Sequence, residues 1–207
     1  MGQVLEIHPK NPEARLIKKV VEVLMNGGVI IYPTDSAYAL GCRLGNKAGL
    51  QRIIRIRQLD SRHNFTLMCR DLSELATYAR VDNSAYRLLK AHTPGAYTFI
   101  LKATSEVPRL MLHPKRKTIG IRVPDHPVVS ALLAAMDEPL LSSSLILPGE
   151  EEPPSDIDAI GDDLGHAVDM VVDGGFCGLE VTTVVDLSDG APQVLRQGKA
   201  DPSPFMA

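Results

Sequence analysis

Apolar positions along the chain switch repeatedly between a helical and a strand-like period. Leu16, Val20, Val23 and Leu24 recur at helical spacing behind Asn11-Pro12-Glu13, which reads as an N-cap, a first-turn proline and an acid favoured by the helix dipole; Gly27-Gly28 ends the run. Val29-Ile30-Ile31-Tyr32 is a short, largely β-branched run, expected to be a strand buried on both faces and stopped by Pro33, after which the chain enters a polar turn. Asn46 is placed to cap a second helix that carries Leu50, Ile53 and Ile54 and ends near Arg57. The pattern then predicts a strand over 65–69, helices over 72–79 and 83–91, and strands over 97–103 and 118–123. Asp125-His126-Pro127 opens a helix over 128–136, and a strand over 140–147 follows. Residues 148–163, rich in acid and proline, read as a loop within one domain. Strand-like runs at 168–172, 182–187 and 193–196 come after it. The alternation predicts an α/β fold, and the closing strands predict a mixed sheet. No internal repeat is visible, and 199–207 reads as a frayed, flexible tail.

Composition narrows the class without adding chemistry. With 207 residues, 44% hydrophobic and 23% charged, the chain has the proportions of a globular protein and not of a disordered, collagenous or coiled-coil one. Cys42, Cys69 and Cys177 are odd in number and far apart, without C-x-x-C spacing, which fits a reducing cytoplasm. No run approaches the ~18 apolar residues of a spanning helix, so no membrane association is expected. The first residues lack an apolar signal core, and Glu6 stands where a myristoylation pattern starting at Gly2 wants Ser or Thr.

Charge is distributed unevenly. Residues 1–149 hold 20 Lys and Arg against 12 Asp and Glu, whereas 150–190 hold 12 acids and no Lys or Arg. Such a surplus attracts anions if it converges in a cleft, and is otherwise a set of solvated helix faces opposite an acidic loop.

Phosphate-loop, dinucleotide, zincin and nucleophile-elbow motifs are all absent, and the six histidines do not cluster at ligand spacing, so no tightly bound metal is expected. His8, His92, His113 and His166 read as surface or packing residues, and Cys69 as an inert buried thiol. Pro33-Thr34-Asp35-Ser36-Ala37-Tyr38 brings polar side chains directly off a buried strand end, where open α/β sheets bind ligands; the alternative is a turn capping itself through Asp35. Arg52, Arg55, Arg57, Arg62 and His63 form a cationic run at and beyond a helix end, where cations also relieve the dipole. Arg122 follows an apolar run, so its guanidinium is expected to be partly buried and to need an anion, either a ligand phosphate or an internal carboxylate. Ser142-Ser143-Ser144 and Arg196 are further polar groups at strand ends, and Lys115-Arg116-Lys117 is either a nucleic-acid contact or a solvated loop.

Six segments in order resemble the YrdC-like family, most closely its YciO subgroup: Pro33-Thr34-Asp35-Ser36 with Tyr38 and Gly41; Thr93-Pro94-Gly95 with Thr98-Phe99; Ile121-Arg122-Val123-Pro124-Asp125-His126-Pro127; Ser142-Ser143-Ser144; Thr182-Thr183-Val184-Val185-Asp186; and Leu195-Arg196-Gln197-Gly198. The resemblance implies a single YrdC-like α/β domain over 11–198, with a twisted, mostly mixed or antiparallel sheet flanked by helices and a large basic cleft. Family members include synthases that join threonine, bicarbonate and ATP, with Mg2+ accompanying the nucleotide, to make the threonylcarbamoyl-adenylate used in tRNA modification. It implies that Thr34, Ser36, Tyr38 and Arg122 face a threonine-like or carboxylate group and that Arg55, Arg57, Ser142, Ser144 and Arg196 face nucleotide phosphates. Arg52, Arg62, Lys115, Arg116 and Lys117 would extend the surface toward tRNA or double-stranded RNA. The family's Lys-x-Arg pair is matched by Arg55-Ile56-Arg57, and its Ser-x-Asn pair becomes Ser144-Leu145-Ile146. An Arg is not a compact ammonium, and a ligand group deprived of Asn loses about 1–3 kcal/mol. Synthesis slowed by roughly one to four powers of ten is therefore expected, and three readings stand: a nucleotide- and RNA-binding relative with a degenerate signature, a slow synthase, or an RNA-binding protein without catalysis.

Overall fold

The computed structural model describes residues 2–60 and 63–206, with the backbone alone at 162 and 163. Ten strands form one sheet: β1 (Gln3–Glu6), β2 (Val29–Tyr32), β3 (Ala39–Arg43), β4 (Thr66–Met68), β5 (Tyr97–Lys102), β6 (Thr118–Arg122), β7 (Leu140–Ser144), β8 (Met170–Asp173), β9 (Thr183–Asp186) and β10 (Gln193–Arg196). Their spatial order is β1-β8-β2-β3-β7-β4-β6-β5-β9-β10. Pairs β1/β8, β2/β8, β4/β6 and β5/β9 are parallel; the other neighbours are antiparallel, so the sheet is mixed as its sequence pattern predicts.

Six helices flank it: α1 (Ala14–Met25), α2 (Lys47–Arg57), α3 (Leu72–Tyr78), α4 (Asn83–His92), α5 (Pro127–Met136) and α6 (Ile157–Ala167), the last interrupted at Gly161 by φ +73°. β2 shows why its apolar run is continuous: Val29 and Ile31 enter one core while Ile30 and Tyr32 enter the other. The first core takes Leu50 and Ile53 of α2, Leu75 of α3, Leu89 of α4 and Leu164 of α6. The second takes Ile17, Val20 and Leu24 of α1 and Val128, Leu132 and Met136 of α5. That second core stops at Met68 of β4, and no residue of β6, β5, β9 or β10 joins it. Half of one sheet face is thus left without helices, and this positions the site.

Several local expectations are corrected. α1 starts at Ala14 behind Glu13, without a side-chain cap, so Asn11 is not its N-cap. The segment after Pro33 is a turn only as far as Tyr38; Ala39–Arg43 is a central strand between β2 and β7, hidden by its glycine and polar flanks. The expected acidic loop ends early, giving way to the first part of α6, whose N-cap Asp156 accepts the Ala159 N–H at 2.9 Å. The fold begins before residue 11, since β1 pairs in parallel with β8. The tail is docked and not frayed: Phe205 is 4% exposed and packs against His92, Tyr97 and Phe99, and the Tyr97 hydroxyl donates to the Asp201 carbonyl at 2.8 Å. No helix among the described residues is long and apolar enough to cross a membrane.

Candidate functional site

Strands that reach the uncovered half-face present several hydroxyls and a glycine to it, with Ile100 and Val184 as aliphatic exceptions. Thr66 of β4, Thr98 and Ile100 of β5, Val184 of β9 and Ser144 of β7, with Thr182 just before β9, line a cleft of about 340 Å³. Gly120 of β6 lies beneath it: a Cβ there would stand 2.9 Å from Thr66 Oγ1 and 3.2 Å from Thr98 Cγ2, so a side chain would crowd this floor. Arg57, His63, Asn64, Ser143, Ile146, Leu195 and Arg196 complete the lining. A larger hollow of about 700 Å³ lies between α1 and α5, but aliphatic side chains, alanines, Lys18, Glu22 and Asn26 line it, without a convergent set of functional groups.

Arg57 and Arg196 approach the cleft from different elements. Arg57 is the last residue of α2, where the helix ends at Gln58 in the left-handed region (φ +51°). β7 ends at Ser144, short of the expected Leu147, because the Ile146 N–H turns back to the Ser144 carbonyl at 3.0 Å. That turn presents the Ile146 carbonyl to Arg57 Nε at 2.8 Å, while Arg57 Nη1 donates to Ser143 Oγ at 2.8 Å. Arg196 sits at a register shift where Val194 pairs with Val185 and Arg196 with Val184; such a bulge re-aims a side chain. Its Nε and Nη2 donate to the Thr182 carbonyl at 3.1 and 2.9 Å. Neither arginine forms an ion pair among the described residues, and no Asp or Glu lines the cleft. Burial, and then the charge of Arg196, lower Arg57 below the ordinary guanidinium value, and burial lowers Arg196. Both remain cations.

Behind the cleft is a recess of about 20 Å³ that shares Thr66, Thr98, Ser143, Ser144 and Thr182 with it. Arg122 lines this recess, 3% exposed and ion-paired with Asp35; its Nη2 also donates to Thr34 Oγ1 at 3.4 Å, and its Nε has no partner. Of the two anions open to Arg122, the structure holds the internal carboxylate. Asp35 also accepts the Asp125 N–H at 3.0 Å, tying the turn after β2 to the start of α5.

The expected carboxylate-binding residues are placed differently. Thr34 is buried, and it is Thr34 and not Asp35 that closes the turn: its hydroxyl accepts N–H groups from Ser36 and Ala37 and donates to the Ala37 carbonyl at 2.6 Å. Ser36 Oγ, also buried, pairs with Thr34 Oγ1 at 3.1 Å, and neither residue lines the cleft. Tyr38 is a core residue whose hydroxyl donates to the Gly175 carbonyl at 2.7 Å. Ser142 is consumed by Tyr32 Oη at 2.6 Å and the Leu40 carbonyl at 3.2 Å and borders only the recess. Ser144 lines both spaces.

Arg55 is exposed outside the cleft, since two helical residues turn through about 200° and carry it away from Arg57. The cations expected on a nucleic-acid surface are largely committed to the fold. Arg52 pairs with Asp169 at 2.6 Å, Arg116 with Asp186 at 2.6 Å, and Lys117 Nζ donates to the Pro114 carbonyl at 2.7 Å; Lys115 is exposed, and Arg62 lies outside the described residues. With Lys102–Asp189 at 2.6 Å, three such pairs join the basic segment to the acidic one, so part of the uneven charge is offset internally. The three cysteines are free and buried; burial pushes Cys42 up to about 12 and Cys177 up to about 11. His63 lines the cleft as a member of the cationic run named from the sequence, whereas Asn64 and Thr66 are lining residues that the sequence did not single out. The available signal was the strand alternation that places Thr66, Thr98 and Ser144 on one face.

Fold and cleft together define a single-domain α/β protein whose half-covered mixed sheet carries a hydroxyl-floored cleft with two unneutralised arginines. The chain belongs to the Sua5/YciO/YrdC family: residues 22–198 match that family's model, which is described as telomere recombination. It is 57% identical over 206 residues to the Escherichia coli (strain K12) protein named uncharacterized protein YciO, covering 100% of both chains. The crystal structure of E. coli YciO superimposes with a TM-score of 0.97 over 100% of both chains. A threonylcarbamoyl-AMP synthase of Vibrio vulnificus (strain YJ016) is 31% identical over 186 residues, 88% of this chain and 98% of that one. P. abyssi Sua5 complexed with L-threonine shares the fold, with a TM-score of 0.85 at 23% identity over 94% of this chain and 57% of that one.

Proposed function

We propose that the chain binds a nucleotide through its phosphates in the cleft between Arg57 and Arg196, as a relative of the threonylcarbamoyl-AMP synthases whose synthetic chemistry is attenuated. The observation that carries this reading is that two guanidiniums face one cavity and bond only neutral oxygens. Arg57 is half-buried and Arg196 more exposed, both are without a carboxylate, and a polyphosphate offers bidentate acceptors to the two together. Thr66, Thr98 and Thr182 supply hydroxyls on the floor, and Leu195 and Ile146 supply apolar walls. No group of three or more His, Cys, Asp or Glu suited to a metal occurs among the described residues, so the lining does not fit a resident divalent cation. Mg2+ belongs to this proposal only as a companion of the ATP phosphates.

Attenuation rests on what stands where the synthases place their signature. Arg55 faces away, and Ile146 offers the cleft a backbone carbonyl and an aliphatic side chain where the family has Asn. RNA takes second place, since Arg52, Arg116 and Lys117 are tied within the fold; contact would fall on the cleft itself, so RNA and ATP would compete. The buried free thiols favour a cytoplasmic setting. The test is equilibrium binding of ATP to the purified chain, with and without tRNA, beside an assay of pyrophosphate release from ATP, L-threonine and bicarbonate. The proposal expects binding that Arg57→Ala weakens and release far slower than by the V. vulnificus synthase; ATP binding unaffected by Arg57→Ala would remove it.

A further inference from the structure

His63 lies on the connection from α2 to β4 and lines the same cleft as Arg57 and Arg196. Its Nε2 is 3.4 Å from Ser143 Oγ, the hydroxyl that accepts a hydrogen bond from Arg57 Nη1 at 2.8 Å. Arginine only donates, so Ser143 keeps its own proton for an acceptor, and Nε2 provides one in the neutral tautomer that carries its proton on Nδ1. The ring also packs against Phe65 in a T-shaped arrangement with centroids 5.1 Å apart.

Among the described residues, the charged groups acting on the imidazole are Arg57 from α2, Arg196 from β10 and Asp60 on the same connection; Ser143 of β7 adds no charge. Burial comes first among the effects, then Arg57, with Arg196 in the same direction and Asp60 opposing, and together they hold His63 down at about 4. The two arginine contributions depend on the cleft having no anion. An anion seated between Arg57 and Arg196 offsets both and adds its own attraction for a proton. Resting on the phosphate-binding reading above, we propose that His63 is a third ligand of that anion, neutral in the free protein and taken up as imidazolium when a multiply charged phosphate enters. Protonation turns Nε2 from acceptor to donor and releases the Ser143 proton to the ligand, so one event adds a cation and frees a hydroxyl. The device favours pyrophosphate-like groups over singly charged anions, because only excess negative charge compensates both guanidiniums and draws in a proton.

The experiment is calorimetric titration of the full chain with inorganic pyrophosphate at pH 6.0 and 7.5, in buffers of different ionisation enthalpy, for the wild type, His63→Gln and Arg57→Ala. Pyrophosphate itself gains a proton in this range, and the His63→Gln curve measures that background. Beyond it, the wild type should take up additional protons and bind about tenfold more tightly at pH 6.0 than at 7.5, as a bound-state pKa near 7 requires. Independently of any variant's folding, the His63 ring resonance of the wild type should titrate near neutrality with saturating pyrophosphate and well below pH 6 without it. If His63→Gln matches the wild type in affinity and proton uptake while Arg57→Ala loses binding, His63 is a bystander and the phosphate reading survives. If the wild type binds no pyrophosphate, both fall.

Discussion

Arg57 Nη1 donates to Ser143 Oγ at 2.8 Å, and this contact ties the end of α2 to the end of β7 without neutralising the guanidinium. Arg196 repeats the arrangement on the opposite wall with Thr182. The buried Arg122 has its own carboxylate, whereas the half-buried Arg57 and the more exposed Arg196 are held in place by neutral oxygens alone. Arg57→Ala should weaken ATP binding about 10- to 100-fold, the range of a hydrogen bond to a charged group, while Arg57→Lys recovers only part because an ammonium cannot hold Ser143 and the Ile146 carbonyl in one plane. Titration calorimetry on both variants checks this.

Ile146 lines the cleft beside Arg57 and, under the function proposed above, is set against the Asn of the Ser-x-Asn pair that the sequence resemblance implies. Ile146→Asn should raise the rate of pyrophosphate release from ATP, L-threonine and bicarbonate by about tenfold, the return of one lost hydrogen bond. A rate unchanged in that assay would place the attenuation elsewhere, with Arg55 next in line.

Asp35 and Arg122 form a buried pair that also holds the N-terminus of α5. Asp35→Ala leaves Arg122 without a counter-charge and should reduce unfolding stability by about 3–5 kcal/mol, whereas Asp35→Ala with Arg122→Met should recover most of it. Urea denaturation at pH 7 of the two variants measures the difference. Equal losses in both would mean that the pair is not compensating charge.

His63 also makes acid stability testable. Its value in the folded chain lies below the ordinary 6.5, at about 4, chiefly through burial. Between those values the unfolded chain binds the proton and the folded chain does not, so stability falls as pH drops from about 6.5 toward 4. His63→Gln lacks this penalty. Its urea midpoint should exceed that of the wild type at pH 4.5 relative to the difference at pH 8, and parallel pH profiles would contradict the assignment.

The sequence was most legible where one interaction decides. Asn46 caps α2 through the Gly49 N–H at 2.9 Å, and the apolar run of β2 is buried on both faces. β1 and β3 escaped notice for opposite reasons: Gln3–Glu6 is an edge strand with a single buried residue, and Ala39–Arg43 carries a central glycine and follows a polar turn. α6 was masked by its acids and by Gly161. At the site, Arg57 and Arg196 could be named from their places at element ends, but the choice between Arg55 and Arg57 depends on helix phase, and the identity of Arg122's anion depends on Asp35 arriving from a turn 87 residues away. Gly120 was invisible because its contribution is the absence of bulk beneath Thr66 and Thr98, on a face that helices leave open.

The central claim is most directly tested by a crystal structure of the chain with a non-hydrolysable ATP analogue. The account predicts phosphate oxygens within hydrogen-bond distance of both Arg57 and Arg196, above the floor of Thr66, Thr98 and Thr182. Nucleotide seated in the hollow between α1 and α5, or phosphates contacting neither arginine at saturating ligand, would contradict it.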